Sequence, residues 1–269
     1  MGSLAGVFRL MGVVNVTPDS FSDGGRYLDA GAAVAHGRAL LAEGADTLDV
    51  GGESTRPSAG PVTEGEELRR VVPVVGGLAE AGARVSVDTS KLAVARAALD
   101  AGAVYVNDVT AFRADPGLAG LVAERAAGCC LMHMLGEPRT MQDHPRYDDV
   151  VSDVKAFLEA RMAFAVAEGV PETAIELDPG IGFGKTVEHN LELLRRLDER
   201  VALGRPVVVG VSRKQFLGRI TGREVPAERV FATLAANVLA LERGAAVFRV
   251  HDVAASRDAL LVATATLAG

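Results

Sequence analysis

Four times along this chain a stretch with apolar residues at helical spacing stops at a glycine, and a short apolar run follows that closes on a polar side chain. The runs are G-A-D-T-L-D-V-G-G from Gly44, G-A-R-V-S-V-D from Gly82, G-A-V-Y-V-N-D from Gly102 and G-A-A-V-F-R-V-H-D from Gly244, with Gly128 before C-C-L-M-H-M as a looser fifth. Glycine ends helices because it enters the left-handed region without a Cβ clash, so each run reads as helix, cap and buried strand. Carried along the whole chain, the reading predicts strands at Phe8–Val14, Thr47–Val50, Val85–Val87, Val104–Val106, Cys130–Met134, Ala174–Leu177, Val207–Gly210 and Val247–Val250. Amphipathic helices are predicted at Ala30–Glu43, Glu64–Ala81, Lys91–Ala101, Pro116–Ala127, Asp149–Glu168, Val187–Leu203, Pro226–Arg243 and Ala254–Ala268. Strands alternating with helices specify a parallel sheet covered by helices. Eight such units in 269 residues suit a (β/α)8 TIM barrel of the α/β class, with a doubly wound open sheet as the alternative. No Pro-, Gly- or Ser-rich linker divides the chain, so residues 1–269 are expected to form a single domain.

The chain is 49% hydrophobic, enough for one large core. Its net charge of −7 argues against nucleic acid or an anionic membrane as the main partner. No basic segment followed by a long apolar one opens the sequence, and polar residues interrupt every later apolar run, so a soluble cytoplasmic protein is expected. Cys129 and Cys130 are neighbours in an apolar run, where two small buried side chains are the simpler reading than a disulfide or a metal pair.

Active sites of such barrels lie at the C-terminal ends of the strands. Those ends carry Asn15, then Glu53 to Arg56, Asp88, Asn107 with Asp108, Met132 to Met134, Asp178, Ser212 to Lys214, and Arg249, His251 and Asp252. After the first strand, Met11–Arg26 releases Asn15, Thr17, Asp19, Ser20, Ser22 and Asp23 among Pro and paired Gly, a composition for a rim loop and not for a core. Asp88, Asn107, Asp178 and Lys214 form a set of acceptors and donors that a flat nitrogen heterocycle with adjacent N–H groups would satisfy. Thr55, Arg56, Arg249 and His251 suit phosphate oxygens, Arg by its planar fork, and His251, two residues from Arg249, shares its side of the strand. Asn15 and Asp19 are suited to Mg²⁺, which keeps most of its waters and needs few protein ligands. His36, His144 and His189 read as structural. D-P-G-I-G-F-G-K-T from Asp178 lacks the spacing of a phosphate loop; its glycines more plainly let backbone approach a flat ligand that Phe183 covers.

These stretches resemble a known family. N-V-T-P-D-S-F-S-D-G-G from Asn15 and D-V-G-G-E-S-T-R-P from Asp49 are similar to the first two signatures of the dihydropteroate synthases, the folate-pathway transferases targeted by sulfonamides. S-V-D-T from Ser86, V-N-D-V from Val106, L-M-H-M from Leu131, D-P-G-I-G-F-G-K from Asp178, S-R-K-Q-F-L-G from Ser212 and R-V-H-D-V from Arg249 resemble later blocks in order. The resemblance implies a TIM barrel that joins 6-hydroxymethyl-7,8-dihydropterin diphosphate to 4-aminobenzoate, giving 7,8-dihydropteroate and diphosphate. It implies that Asp88, Asn107, Asp178 and Lys214 hold the pterin, with Met132, Gly182 and Arg249 packed about it. Asn15 would bind Mg²⁺ and meet the diphosphate with Thr55, Arg56, Arg249 and His251. Phe21, Thr55, Pro57, Phe183, Ser212, Lys214 and Gln215 would shape the aminobenzoate pocket, with Asp23 closing over it. Asp88, Asp178, Lys214, Arg249 and His251 would carry catalysis, and a homodimer is implied. Several relatives have Ser where this chain has Gln215, which bears on how the aminobenzoate carboxylate is received. The alternatives are a methyltetrahydrofolate-dependent corrinoid methyltransferase, which has no need of Arg56, Lys214, Arg249 and His251 around a diphosphate, and a catalytically silent pterin-binding paralogue.

Overall fold

Side chains along a strand alternate between faces, and here both faces of every strand are needed. A computed structural model describes residues 7–17, 30–54, 60–137, 140–201 and 203–268 of the chain, the side chains of Arg200 and Val201 excepted. Among them the strands are β1 Arg9–Asn15, β2 Thr47–Gly51, β3 Val85–Asp88, β4 Tyr105–Asp108, β5 Gly128–Met132, β6 Ile175–Asp178, β7 Val208–Val209 and β8 Val247–Val250. They form one parallel sheet in the order β6-β5-β4-β3-β2-β1-β8-β7. A parallel bridge between Leu177 and Val207 and a bond from the Leu177 N–H to the Pro206 carbonyl at 3.0 Å join its two edges. The result is a nearly closed (β/α)8 barrel, as the alternating pattern predicts, and not an open sheet.

The helices are α1 Ala30–Ala42, α2 Glu64–Glu80, α3 Leu92–Asp100, α4 Gly117–Glu124, α5 Val150–Ala167, α6 Val187–Arg195, α7 Asp198–Val201, α8 Gln215–Thr221, α9 Val230–Glu242 and α10 Val253–Leu267. Leu48, Val50, Val85, Val87, Val106, Leu131, Ile175 and Leu177, one side of their strands, are buried in the large core that includes the helices. On the other side Met11, Tyr105, Cys130, Val208 and Val247 make a small apolar layer of their own. Cys129 and Cys130 therefore belong to different layers, and both are free and buried. Below the inner layer Glu176 accepts from Arg9 at 2.7 Å and from the Tyr105 hydroxyl at 2.8 Å. Above it the inner positions turn polar, and the site begins there.

Several element ends shift from the sequence reading, and three differences have a plain physical cause. β5 starts at Gly128 and ends at Met132, not Cys130–Met134. A Cβ at Gly128 would lie 2.5 Å from the Tyr105 ring, so the residue that looked like a cap is the strand position that makes room for Tyr105. The predicted helix Val187–Leu203 breaks after Arg195 and resumes as the four-residue α7, with Leu197 fully buried at the break. Helix α8, absent from the predicted set, is seven residues long and ends on Gly222 at φ 70°; two turns are too few for a periodic pattern to show.

Candidate active site

At the C-terminal end of the barrel is a cavity of about 880 Å³, and Asp88, Asn107, Asp178 and Lys214, from four strand ends, all line it. Asn15, Met132, Gly182, Phe183, Ser212 and Gln215 line it as well, as do Arg249 and His251. Phe21, Asp23, Thr55, Arg56 and Pro57, with Asp19, fall outside the described residues. His36 also lines the cavity's rim, whereas His189 completes a capping box with Thr186 at the start of α6.

The residue that organises the floor was quoted in a motif and given no role. Asp49, fully buried in the middle of β2, accepts from the Ser86 hydroxyl at 2.6 Å, from Asn107 Nδ2 at 3.0 Å and from Arg249 Nε at 2.6 Å. It lies mid-strand, where a reading of strand ends does not reach. The available signal was an acid two residues before Gly51, on the phase of the strand that register places beside Ser86. Arg249 spans two acids, since its other nitrogen donates to Asp88 Oδ2 at 2.8 Å. Burial opposes the guanidinium charge, yet Asp49 and Asp88 hold the Arg249 pKa above its ordinary value. Burial pushes the Asp88 carboxyl up to about 7, against the pull of Arg249 and helped by Asp49, Glu67 and Asp108.

The second acid is held differently. Asp178 ends β6 and its Oδ1 accepts the Gly180 N–H at 2.6 Å. Burial raises its pKa, and the charge of Lys214, the Gly180 N–H, Lys185 and Arg249 work the other way. Lys214 donates to the Ile181 carbonyl and its ammonium sits 4.4 Å from the centre of the Phe183 ring, a cation–π contact. Burial pushes the Lys214 ammonium down to about 8, Asp178 opposing and Arg249 adding to the fall. The glycines of this loop are required by space. Gly180 has φ +67° and a Cβ there would lie 1.8 Å from the His133 carbonyl oxygen, while a Cβ on Gly182, at φ +84°, would press on the Lys214 stem at 3.0 Å.

Asp108 and Asp252 are not among the residues lining the cavity, and Arg213, which is, has its charge taken by a neighbour. Asp108 points to the helix side, fully buried, and accepts the N–H groups of Thr110 at 2.8 Å and Phe112 at 2.6 Å. It shapes the loop after β4, because alternation sends it opposite to Asn107. Arg213 and Asp252 spend their charges on each other, at 2.9 and 2.5 Å. Ser212 and His251 form a pair of their own, the Ser212 hydroxyl 2.9 Å from His251 Nδ1 and accepting the His251 N–H at 3.1 Å. Gln215 is the first residue of α8, its side chain exposed at the rim.

A buried carboxylate, a second largely buried one, an amide and a partly desolvated lysine around one cavity make the mouth of an enzyme that grips a small, flat, hydrogen-bonding ring. Residues 11–251 match the family described as pterin binding enzyme, which defines the class. The dihydropteroate synthase of Mycobacterium leprae is 51% identical over 98% of this chain and 95% of its own length. The structure of Xanthomonas albilineans dihydropteroate synthase with 4-aminobenzoic acid is 50% identical, with a TM-score of 0.91 over 97% of this chain and 94% of that one. The Thermus thermophilus dihydropteroate synthase in complex with 6HMPPP is 46% identical, with a TM-score of 0.84 over 97% and 94%. The chain belongs to the dihydropteroate synthase family, transferases of folate biosynthesis.

Proposed function

We propose that this chain condenses 6-hydroxymethyl-7,8-dihydropterin diphosphate with 4-aminobenzoate, releasing diphosphate and 7,8-dihydropteroate. The observation that carries the reading is the convergence of Asp88, Asn107, Asp178 and Lys214 on one cavity. The ring's N–H groups meet Asp88 and Asp178, and Lys214 donates to its acceptor edge. The bond between the pterin methylene carbon and the diphosphate oxygen breaks with its electron pair leaving on diphosphate. The positive charge then spreads into a ring held between two carboxylates. The aminobenzoate nitrogen, uncharged at neutral pH, forms the new C–N bond and gives up one proton, so no strong base is required. Ser212 and His251, paired at the rim, stand with Arg249 on the side expected to receive the diphosphate. Formation of 7,8-dihydropteroate and diphosphate in equal amounts by purified protein given both substrates is the direct test, and no 7,8-dihydropteroate under those conditions would remove the reading.

Asn15 ends β1 at the cavity wall with Thr17 two residues on. Among the described residues no group of three His, Cys, Asp or Glu side chains is placed to hold a metal. Hard oxygen donors in small number are what Mg²⁺ takes when it keeps waters and shares phosphate oxygens, so Asn15 fits it. Bound there, Mg²⁺ would offset charge on the departing diphosphate.

The two titrations give a pH signature. Binding needs Asp88 as carboxylate and Lys214 as ammonium. Affinity for 6-hydroxymethylpterin is therefore expected to rise as pH passes about 7 and to fall as it passes about 8. Fluorescence titration across a pH series checks this, with Lys214→Ala as the control that should lose the alkaline limb; an alkaline limb that persists in Lys214→Ala would refute the assignment.

A homodimer and a cytoplasmic location complete the reading. Helices α9 and α10 pack together and turn Phe231, Leu239 and Val262 outward, Phe231 being 84% exposed. Large apolar side chains exposed on two neighbouring helices suit a two-fold interface. Light scattering should give twice the chain mass for wild type and a monomer for Phe231→Asp. Among the described residues no helix is long and apolar enough to cross a membrane.

A further inference from the structure

The residue before Lys214 has a backbone conformation that side chains with a Cβ rarely adopt: Arg213 stands at φ +59°. Such a residue stays in the left-handed region only where its neighbours hold it. Here both peptide units flanking its Cα are tied to one segment. The Arg213 N–H donates to the Thr233 hydroxyl at 3.0 Å, and the Arg213 carbonyl accepts from Arg229 Nη1 at 2.8 Å. Thr233 lies fully buried in the first turn of α9, and its hydroxyl donates in turn to the Arg229 carbonyl at 2.9 Å. The three residues close a ring of hydrogen bonds.

Arg229 is buried, and the bonds its guanidinium makes among the described residues all go to backbone carbonyls: Arg213, Arg223 at 3.0 Å and Glu224 at 2.5 Å. Arg223 and Glu224 follow α8, so one planar fork holds the chain before that helix and the chain after it. Gly218 inside α8 leaves the room, since a Cβ there would lie 2.6 Å from Arg229 Nε. Lys214 is the cap of the same helix. Its ammonium meets the Ile181 carbonyl and the Phe183 ring at the end of a flexible four-carbon stem, so it is placed only as well as the backbone that carries it.

We propose that Thr233 and Arg229 are positioning residues for Lys214, holding the left-handed turn at Arg213 that sends the lysine into the cavity. The inference rests on the proposed function, in which Lys214 donates to the pterin. Its test is calorimetric affinity for 6-hydroxymethylpterin on the full chain, with thermal melting of the same preparations.

Thr233→Val keeps the shape and removes the hydroxyl. It is expected to lower pterin affinity about tenfold, the share of one misplaced hydrogen bond, and to shrink the loss of affinity that wild type shows above about pH 8. Thr233→Ser should restore both. In a Lys214→Ala background Thr233→Val should change the affinity by less than about twofold, because a residue that acts through Lys214 has nothing left to place. Arg229→Met keeps the stem and removes the fork, and gives the same pattern if Thr233→Val does not fold. An equal loss with and without Lys214, or an unchanged affinity and pH profile in both Thr233→Val and Arg229→Met, would overturn the inference. Wild-type protein that did not bind 6-hydroxymethylpterin would overturn the function itself, and the inference with it.

Discussion

Asp178→Asn is expected to leave the fold intact and to lower affinity for 6-hydroxymethylpterin about a thousandfold. The amide is isosteric, and its oxygen can still accept the Gly180 N–H that Asp178 Oδ1 accepts now. The second atom then becomes an NH2 group facing a ring N–H, donor against donor, in a site without bulk water. Losing one or two charge-assisted bonds and burying an unmatched donor costs about 4 kcal/mol, or roughly three decades of affinity. Lys214 also loses the anion that supports its charge, so its pKa should drop further below about 8. Calorimetric affinity and thermal melting on the same preparation separate the effects. A change of less than about tenfold at an unaltered melting temperature would mean that Asp178 does not hold the ring.

Arg249→Met is expected to damage stability as much as activity. The guanidinium is the shared cation of Asp49 and Asp88, reached at 2.6 and 2.8 Å. Removing it leaves two acids facing each other inside the barrel, and breaking a buried pair from one side costs about 3–5 kcal/mol. For a chain of this size that is a fall of about 10 °C in Tm at neutral pH. The sign of the pH dependence follows from the direction of the shift. Without Arg249 the folded-state pKa of Asp88 rises above the value of about 7 that it has with the arginine present. A raised carboxyl favours the fold fully below its unfolded pKa and loses that contribution as pH climbs through the folded value. The variant's deficit should therefore shrink in mild acid and be largest at alkaline pH. A deficit independent of pH would show that Arg249 contributes packing only.

How far each feature could be read from the chain depends on its range. Strand phase is local: alternation through S-V-D and Y-V-N-D is enough to put Asp88 and Asn107 on one side, and both are found at the mouth. Gly180 and Gly182 announce a backbone that no Cβ would fit. Asp108 closes its strand yet serves the loop after β4 and not the mouth, because its phase, opposite to that of Asn107, points it to the helices. The short α8 lacked enough residues to show a period, and Gly128 looked like its fellow caps until Tyr105 supplied the reason for it to lie within the strand.

What the amino-acid order determined by itself is the repeated strand-helix unit, the polar residues at or just beyond the strand ends and the glycine-rich backbone of the sixth loop. Each arises from neighbours within a few residues, through sterics and burial that act before the chain closes. Tertiary structure alone decided the partners: Arg249 reaches Asp49 across 200 positions, and Lys91 reaches back to Glu53 across 38. Those pairings depend on sheet register and on the meeting of β6 with β7, and a desolvated charge takes whichever opposite charge that closure brings within reach.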